Sequence, residues 1–158
     1  LPMGKEQIRV PLIAAGGIAN GRGMLAAMIL GADGVQIGSR FVASHESSAH
    51  QAFKQEVVKA KEGDTLLTLK ELAPVRLLKN KFFDQVMELY KTNPSKEQLT
   101  ELLGRARAKR GMFEGDLQDG ELEIGQVAGL IHQIKPAAEI VSEIIEEFNA
   151  LNALRVVI

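Results

Sequence analysis

Apolar residues fall in short uninterrupted runs near the start of the chain and in helical stripes further on. Val10-Pro11-Leu12-Ile13-Ala14-Ala15 is a continuous apolar run closed by Gly16-Gly17. That pattern predicts a strand buried on both faces, as in a parallel sheet. Pro11 fits only near the start of such a strand, because it gives no N–H to the ladder. After Asn20-Gly21, the segment Arg22 to Leu30 carries helix formers and stops at Gly31, a suitable residue just past a helix end. Gly34-Val35-Gln36-Ile37-Gly38 predicts a second short strand. Ser39 is placed to cap the next helical segment, and Glu46 to Lys61 has the periodicity of an amphipathic helix. The order strand, glycine turn, helix, strand, glycine turn, helix is a βαβα unit, whose parallel strands require a right-handed crossover.

The remainder reads mainly as helix. Thr65 to Leu69 predicts a strand or extended arm. Lys79 to Lys91 predicts a helix stopped by Asn93-Pro94. Ser95 opens the next, running to about Arg110, with Glu97-Gln98 near the positions of a capping box. Gly111 to Gly120 is a turn-rich acidic loop, and Ile124 to Gln133 reads as helical. Pro136 suits the first position of a last helix, with Ile140, Val141, Ile144, Ile145 and Phe148 as one stripe. Two short parallel strands do not make a stable sheet, since parallel sheets need further strands and helices over both faces. The expectation is an α/β fold whose missing strands come from elsewhere, with a boundary between a sheet part, residues 1–62, and a helical part, residues 63–158.

Composition narrows the picture. The chain has 158 residues, with 46% hydrophobic and 25% charged residues, close to globular averages. Nineteen basic against twenty acidic residues leave a net charge of −1, which argues against a nucleic-acid footprint over the whole surface. No apolar run approaches the roughly 18 residues of a membrane-spanning helix. With no cysteine, disulfides, thiolate metal sites and thiol nucleophiles are excluded, and a reducing cytoplasm is the expected compartment. Tryptophan is absent and aromatics are few, so an aliphatic core is expected.

The glycines carry the candidate chemistry. Seven of fifteen lie between Gly16 and Gly38, and between Gln7 and His45 the only acid is Asp33. Gly16-Gly17 stands at the carboxyl end of a strand just before a helix, where backbone N–H groups can approach an anion and the helix dipole favours negative charge. Gln36-Ile37-Gly38-Ser39-Arg40 repeats the device one strand later, with Ser39 adding a hydroxyl and Arg40 a cation. Each turn alone is also explained by tight turning and close packing. Together, in an acid-poor stretch, they predict one phosphate cup, comparable to the site after strands seven and eight of a (β/α)8 barrel.

Pro11 to Gly23, followed by Leu30 to Phe41, resembles the nitronate monooxygenase (2-nitropropane dioxygenase) family, and within it the enoyl-acyl-carrier-protein reductase II branch. Gly115-Asp116 and Gly125-Gln126-Val127-Ala128-Gly129-Leu130 resemble its C-terminal part. Inosine-monophosphate dehydrogenases and 2-hydroxy-acid oxidases carry glycine turns related to the first. The resemblance implies an FMN-binding (β/α)8 barrel of which this chain holds the last two βα units plus a helical region. It places the FMN phosphate against Gly16, Gly17, Gly38 and Ser39, with Gln36 and Ile37 on the same wall and Gln126 approaching the flavin. The implied activity is NAD(P)H-dependent reduction of an enoyl-acyl-carrier-protein thioester, with nitronate monooxygenase activity as the alternative. A non-catalytic module binding a phosphorylated ligand remains a third reading. The implied partners are a small-molecule or acyl-thioester substrate, the missing N-terminal barrel strands from the same protein or another chain, and further copies of the chain in a homo-oligomer. The family's catalytic histidine belongs to earlier strands. His45, His50 and His132 do not match it and read as surface or cap residues, so no catalytic residue is assigned and the chain alone is expected to be inactive.

Other clusters have plainer readings. Arg105 to Arg110 suits a helix end and ion pairs with the acidic residues from Glu114 to Glu123 better than nucleic acid, since no aromatic is interleaved. Asp116, Asp119, Glu121 and Glu123 lack the spacing of a calcium loop and read as a solvated acidic turn, with no metal expected. Asp33 and Asp64 read as turn residues, and Met24, Met28, Met87 and Met112 as packing.

Overall fold

The computed structural model describes residues 1–154. The chain divides into two compact units: Leu1–Ser47 with the segment from Ile134 onward, and Ser48–Gln133. The division does not follow a single cut at residue 62, because the last helix packs with the N-terminal unit.

In the first unit, α1 (Pro2–Gln7) precedes β1 (Ile13–Ala15), α2 (Gly21–Ile29), β2 (Gly34–Gln36) and α3 (Ser39–Val42). β1 and β2 pair in parallel, with Ile13, Ala14 and Ala15 opposite Gly34, Val35 and Gln36. Asp33 fixes the start of this pair by accepting from the Leu12 N–H at 2.8 Å and pairing with Lys5. Those two contacts, the backbone one first, hold its carboxyl below the usual range. The turn reading of Asp33 therefore stands. One face of the pair is covered: Ala14, Ile18, Ala27 and Ala32 form a small core with Met24, Val35 and Ile37. The opposite face is open, with Ile13 53% exposed and Ala15 and Gln36 exposed beside it. The expectation of burial on both faces thus fails among the described residues of this chain.

α8 (Ala137–Ala153) closes the unit against α2. Pro136 is its N-cap rather than its first residue. Glu46 accepts from the Ala137 N–H at 2.8 Å, supplying a carboxylate to a helix start. Only part of the expected stripe is buried: Ile140 and Ile144 are, whereas Val141 and Ile145 remain 48% and 42% exposed. A 3.6-residue period gives the direction of an apolar stripe, and its width beyond the packed neighbour is not used.

The second unit starts with α4 (Gln51–Lys59), shorter than the expected Glu46–Lys61 helix because His50 caps it, its Nδ1 accepting from the Ala52 N–H. That is the cap role expected of this histidine. β3 (Thr65–Thr68) pairs antiparallel with β4 (Val75–Leu78), a strand the sequence pattern did not reveal. The segment around Glu123 then lies along β4, with Leu78 N–H donating to Leu122 and Ile124 N–H to Arg76. α5 (Lys81–Tyr90), α6 (Lys96–Leu103) and α7 (Arg107–Met112) come next, then a short 3-10 helix (Gln126–Leu130) within the segment expected to be helical from Ile124 to Gln133. Ser95 and Gln98 form the capping box of α6. Asp64 accepts from the Lys61 N–H, as a turn residue should.

The core of this unit corrects the aliphatic expectation. Phe82 and Phe83 pack with Leu69, Leu77, Val86 and Leu99, and Phe53 is fully buried as well. Few aromatics suffice when they are placed inside. α6 stops at Gly104 instead of running to Arg110, because Arg107 turns back on it. Its guanidinium donates to the carbonyls of Leu102, Leu103 and Asp119 and lies 4.4 Å from the Phe82 ring centre. Arg110 pairs with Asp116, and Lys109 with Glu114. Three of the four cations of the basic run, Arg107, Lys109 and Arg110, are thus engaged by backbone carbonyls and acidic partners, in line with its structural reading. Among the described residues, no helix is long and apolar enough to cross a membrane.

Candidate functional site

The parallel register decides where the glycine turns lie. Ala15 pairs with Gln36, the last residue of each strand, so both turns leave the sheet at the same end. Gly16 and Gly17 adopt φ of +86° and +73°, a left-handed pair that L side chains rarely adopt. A Cβ placed on Gly16, Gly17 or Gly38 would meet nothing within 4 Å. The backbone on this side of the turns is therefore bare, with room for a group of atoms against its N–H donors. An anionic group such as a phosphate fits that arrangement.

The two turns differ in what surrounds them. Gly38 is the N-cap of α3 and accepts from Phe41 and Val42. Ser39 is the first residue of α3 and is half-buried. Gln36 is exposed on the open face with Ala15, while Ile37 packs into the core beside Ala14 and Ile18. Ile37 therefore brings its backbone to the turn and spends its side chain on packing. Gln126 opens the 3-10 helix of the second unit and is exposed. Gly16, Gly17, Gln36, Ile37, Gly38 and Ser39 are gathered at one sheet end.

Two expected contributors are assigned elsewhere. The start of α2 is already filled: Glu147 Oε2 accepts from the Gly21 and Arg22 N–H groups at 2.8 and 3.3 Å, and Asn20 accepts from Gly23 at 2.9 Å. The N–H groups of the first three residues of α2 thus have partners within the chain, and the expected dipole contribution from this helix is taken up by Glu147. Arg40, expected as a cation of the cup, is 8% exposed. Burial lowers its guanidinium pKa, and Glu143 and Glu139 of α8 raise it, which makes them its electrostatic neighbours.

Sequence reasoning missed Glu147 altogether. The only available signal was an acid beside the α8 stripe, and nothing local tells which backbone it reaches. The expected solvated acidic turn is also corrected. Asp116 accepts from Gln118 and Asp119 and pairs with Arg110, Asp119 pairs with Lys81, and Glu121 is only 5% exposed. Burial first, and then Glu123, push the Glu121 carboxyl up to about 7 against the opposing pull of Arg107. Among the described residues no group of acids and histidines is arranged to hold a metal.

A βα glycine cup on an α/β fold defines a class before it defines a protein, and solved structures supply the class. FabK from Thermotoga maritima matches 94% of this chain and 47% of its own, with 43% identity and a TM-score of 0.86. A nitroalkane oxidase from Streptomyces ansochromogenes matches 94% of this chain and 42% of its own, with 30% identity and a TM-score of 0.73. The chain thus shares its α/β fold with both proteins. A sequence model of the nitronate monooxygenase family matches residues 1–147, and the chain belongs to that family. A probable nitronate monooxygenase of Staphylococcus saprophyticus is 39% identical over 115 residues, 70% of this chain and 32% of that protein. One from Staphylococcus aureus is 33% identical over 156 residues, 96% of this chain and 42% of that protein. The chain spans a third to about half the length of these relatives.

Proposed function

We propose that this chain is the phosphate-holding C-terminal portion of an FMN-dependent oxidoreductase, contributing the last two βα units of a (β/α)8 barrel and a helical region. The observation that carries the reading is the pair of bare glycine turns at one end of a parallel strand pair. The open face of Ile13, Ala15 and Gln36 is where the interior of a completed barrel would form, which supports earlier strands supplied by the same protein or by another chain. Gly16, Gly17, Gly38 and Ser39 would hold the phosphate through backbone donors and one hydroxyl. Gln36 would stand on the wall beside it, and Gln126 would approach from the helical region. When bound, FMN supplies hydride-transfer chemistry, while the protein orients it and limits competing reactions.

The activity proposed is NAD(P)H-dependent reduction of an enoyl-acyl-carrier-protein thioester, because the match to FabK, of the enoyl-acyl-carrier-protein reductase II branch, is higher in identity and TM-score than that to the nitroalkane oxidase. Nitronate monooxygenase activity is the second reading, favoured by the family match over residues 1–147. His50 is committed to capping α4, and no acid–base role is assigned to a histidine of this chain, so activity requires those earlier strands.

Gly17→Asp tests the site. Asp tolerates a left-handed backbone better than most residues, at a cost of roughly 1 kcal/mol, and its Cβ has open space. It nevertheless places a negative charge where the phosphate is proposed. Affinity for FMN should fall at least about tenfold, equivalent to ~1.4 kcal/mol, with the fold retained by circular dichroism. Unchanged affinity removes the phosphate assignment. On the assembled protein, thioester-dependent NAD(P)H oxidation against nitronate-dependent oxygen uptake separates the two activities.

A further inference from the structure

α8 reaches into the start of α2 in two independent ways. Glu147, 126 residues beyond Gly21 in the chain, accepts from the Gly21 and Arg22 N–H groups at 2.8 and 3.3 Å. Its second oxygen lies 3.9 Å from Arg22 Nε. In addition, a Cβ on Gly21 would overlap the Ile144 carbonyl oxygen and the Phe148 nitrogen, so the α8 backbone occupies the space that the absent side chain leaves. Between this anchored point and the left-handed pair Gly16-Gly17 lie only three residues. Two of them, Ile18 and Ala19, are buried, and the third, Asn20, caps α2. A linker this short and this constrained carries the position of the α2 start into the orientation of the turn.

We infer that Glu147 is a positioning residue for the phosphate-binding turn. From α8 it fixes the first N–H groups of α2 and thereby sets the direction of the Gly16 and Gly17 donors. It touches neither the phosphate nor the reacting atoms. A carboxylate suits this place because charge-assisted hydrogen bonds to a helix start are stronger and shorter than neutral ones. It also makes the turn independent of α2 as an electrostatic partner. The phosphate is held by the glycine backbone, and the positive end of the helix is neutralised by the protein itself. The inference rests on the flavin-phosphate reading for its consequence, but the coupling between Glu147 and the turn stands on its own geometry.

The test compares wild type with Glu147→Ala, Glu147→Gln and Glu147→Asp, using the full chain with any polypeptide it is isolated with. Dissociation constants are measured for FMN and for riboflavin, which lacks the phosphate, and 15N order parameters are measured at Gly16 and Gly17. Glu147→Ala should weaken FMN by about tenfold, the lower end for losing a supporting contact, and leave riboflavin within about twofold. Order parameters at the two glycines should drop from about 0.85 towards 0.6. Glu147→Gln keeps a carbonyl acceptor and should restore most of both, while Glu147→Asp falls short of the α2 start, should show the same FMN-selective loss and lowered order parameters, and replaces Glu147→Ala should the alanine variant fail to fold. Equal weakening of FMN and riboflavin means a purely structural helix cap and overturns the inference, as do unchanged order parameters with weakened FMN. If wild type binds neither flavin, the flavin reading fails by itself, and the order parameters alone decide whether Glu147 positions the turn.

Discussion

A single carboxyl shows how far a residue can depart from its sequence context. Glu121 sits in an acidic stretch that reads as solvated, yet it is buried and its pKa rises to about 7. Its folded-state value lies above the ordinary 4.5, so the folded chain binds the extra proton between those values. Stability from this group is fully present below about pH 4.5 and is lost as pH rises through 7. The shift corresponds to an upper bound of about 3 kcal/mol. Urea unfolding at pH 5 and pH 8 should show the difference, and Glu121→Gln should flatten it while stabilising the chain at pH 8. A Glu121→Gln variant with wild-type pH dependence would show that other groups carry it. Gly21 is a second case. Gly21→Ala forces a Cβ into the α8 backbone, and the expected loss is about 1–3 kcal/mol in chemical denaturation, the usual cost of overpacking.

At the scale of elements, the helix boundaries were decided by partners distant in sequence. α6 ends at Gly104 because Arg107 satisfies the carbonyls of Leu102 and Leu103 while stacking on Phe82. Arg107→Ala removes three charge-assisted hydrogen bonds and the ring contact, and should cost about 2–3 kcal/mol. Arg107→Lys should recover only part of this, since an ammonium cannot reproduce the planar fork. Comparing the two by thermal unfolding checks the assignment: equal stabilities would mean that the fork geometry is irrelevant. The glycine turns illustrate the complementary case. The first turn draws on the positive φ of Gly16 and Gly17 and the second on the missing side chain of Gly38, and the strand–turn–helix order is visible from the sequence. Their shared end of the sheet depends on the β1–β2 register, which comes from pairing.

For the whole molecule, the open face of β1 and β2 has the larger consequence. A two-stranded parallel sheet with Ile13 half-exposed is not a self-sufficient core in general. The proposed barrel supplies its cover. Native mass spectrometry of the isolated protein should find these residues together with the earlier barrel strands, in the same polypeptide or in a second one, and carrying FMN. A folded, flavin-free chain alone would remove the barrel proposal and leave the phosphate-ligand module. A homo-oligomer would appear in the same spectrum as multiples of the assembled mass.

Much of the order of elements was legible in the sequence. The apolar run ending at Gly16-Gly17, the repeat at Gly38, the Ser95 capping box and the stop at Gly31 are local signals, fixed by sterics and backbone hydrogen bonding over a few residues. β4 was not legible, because Val75-Arg76-Leu77-Leu78 becomes a strand through pairing with β3. Nor were the buried phenylalanines, whose number is known from composition but whose placement is a packing outcome. Within the candidate site, the glycines were readable because a residue without a side chain leaves the backbone bare, in left-handed conformation at Gly16 and Gly17 and at the start of α3 at Gly38. Glu147 and Arg40 were not, because a long side chain's partner is set by which helices pack together. The sequence by itself determined where the backbone can turn and approach an anion. Tertiary structure decided which charges reach those turns, because burial and long-range packing place charges that local pattern leaves unassigned.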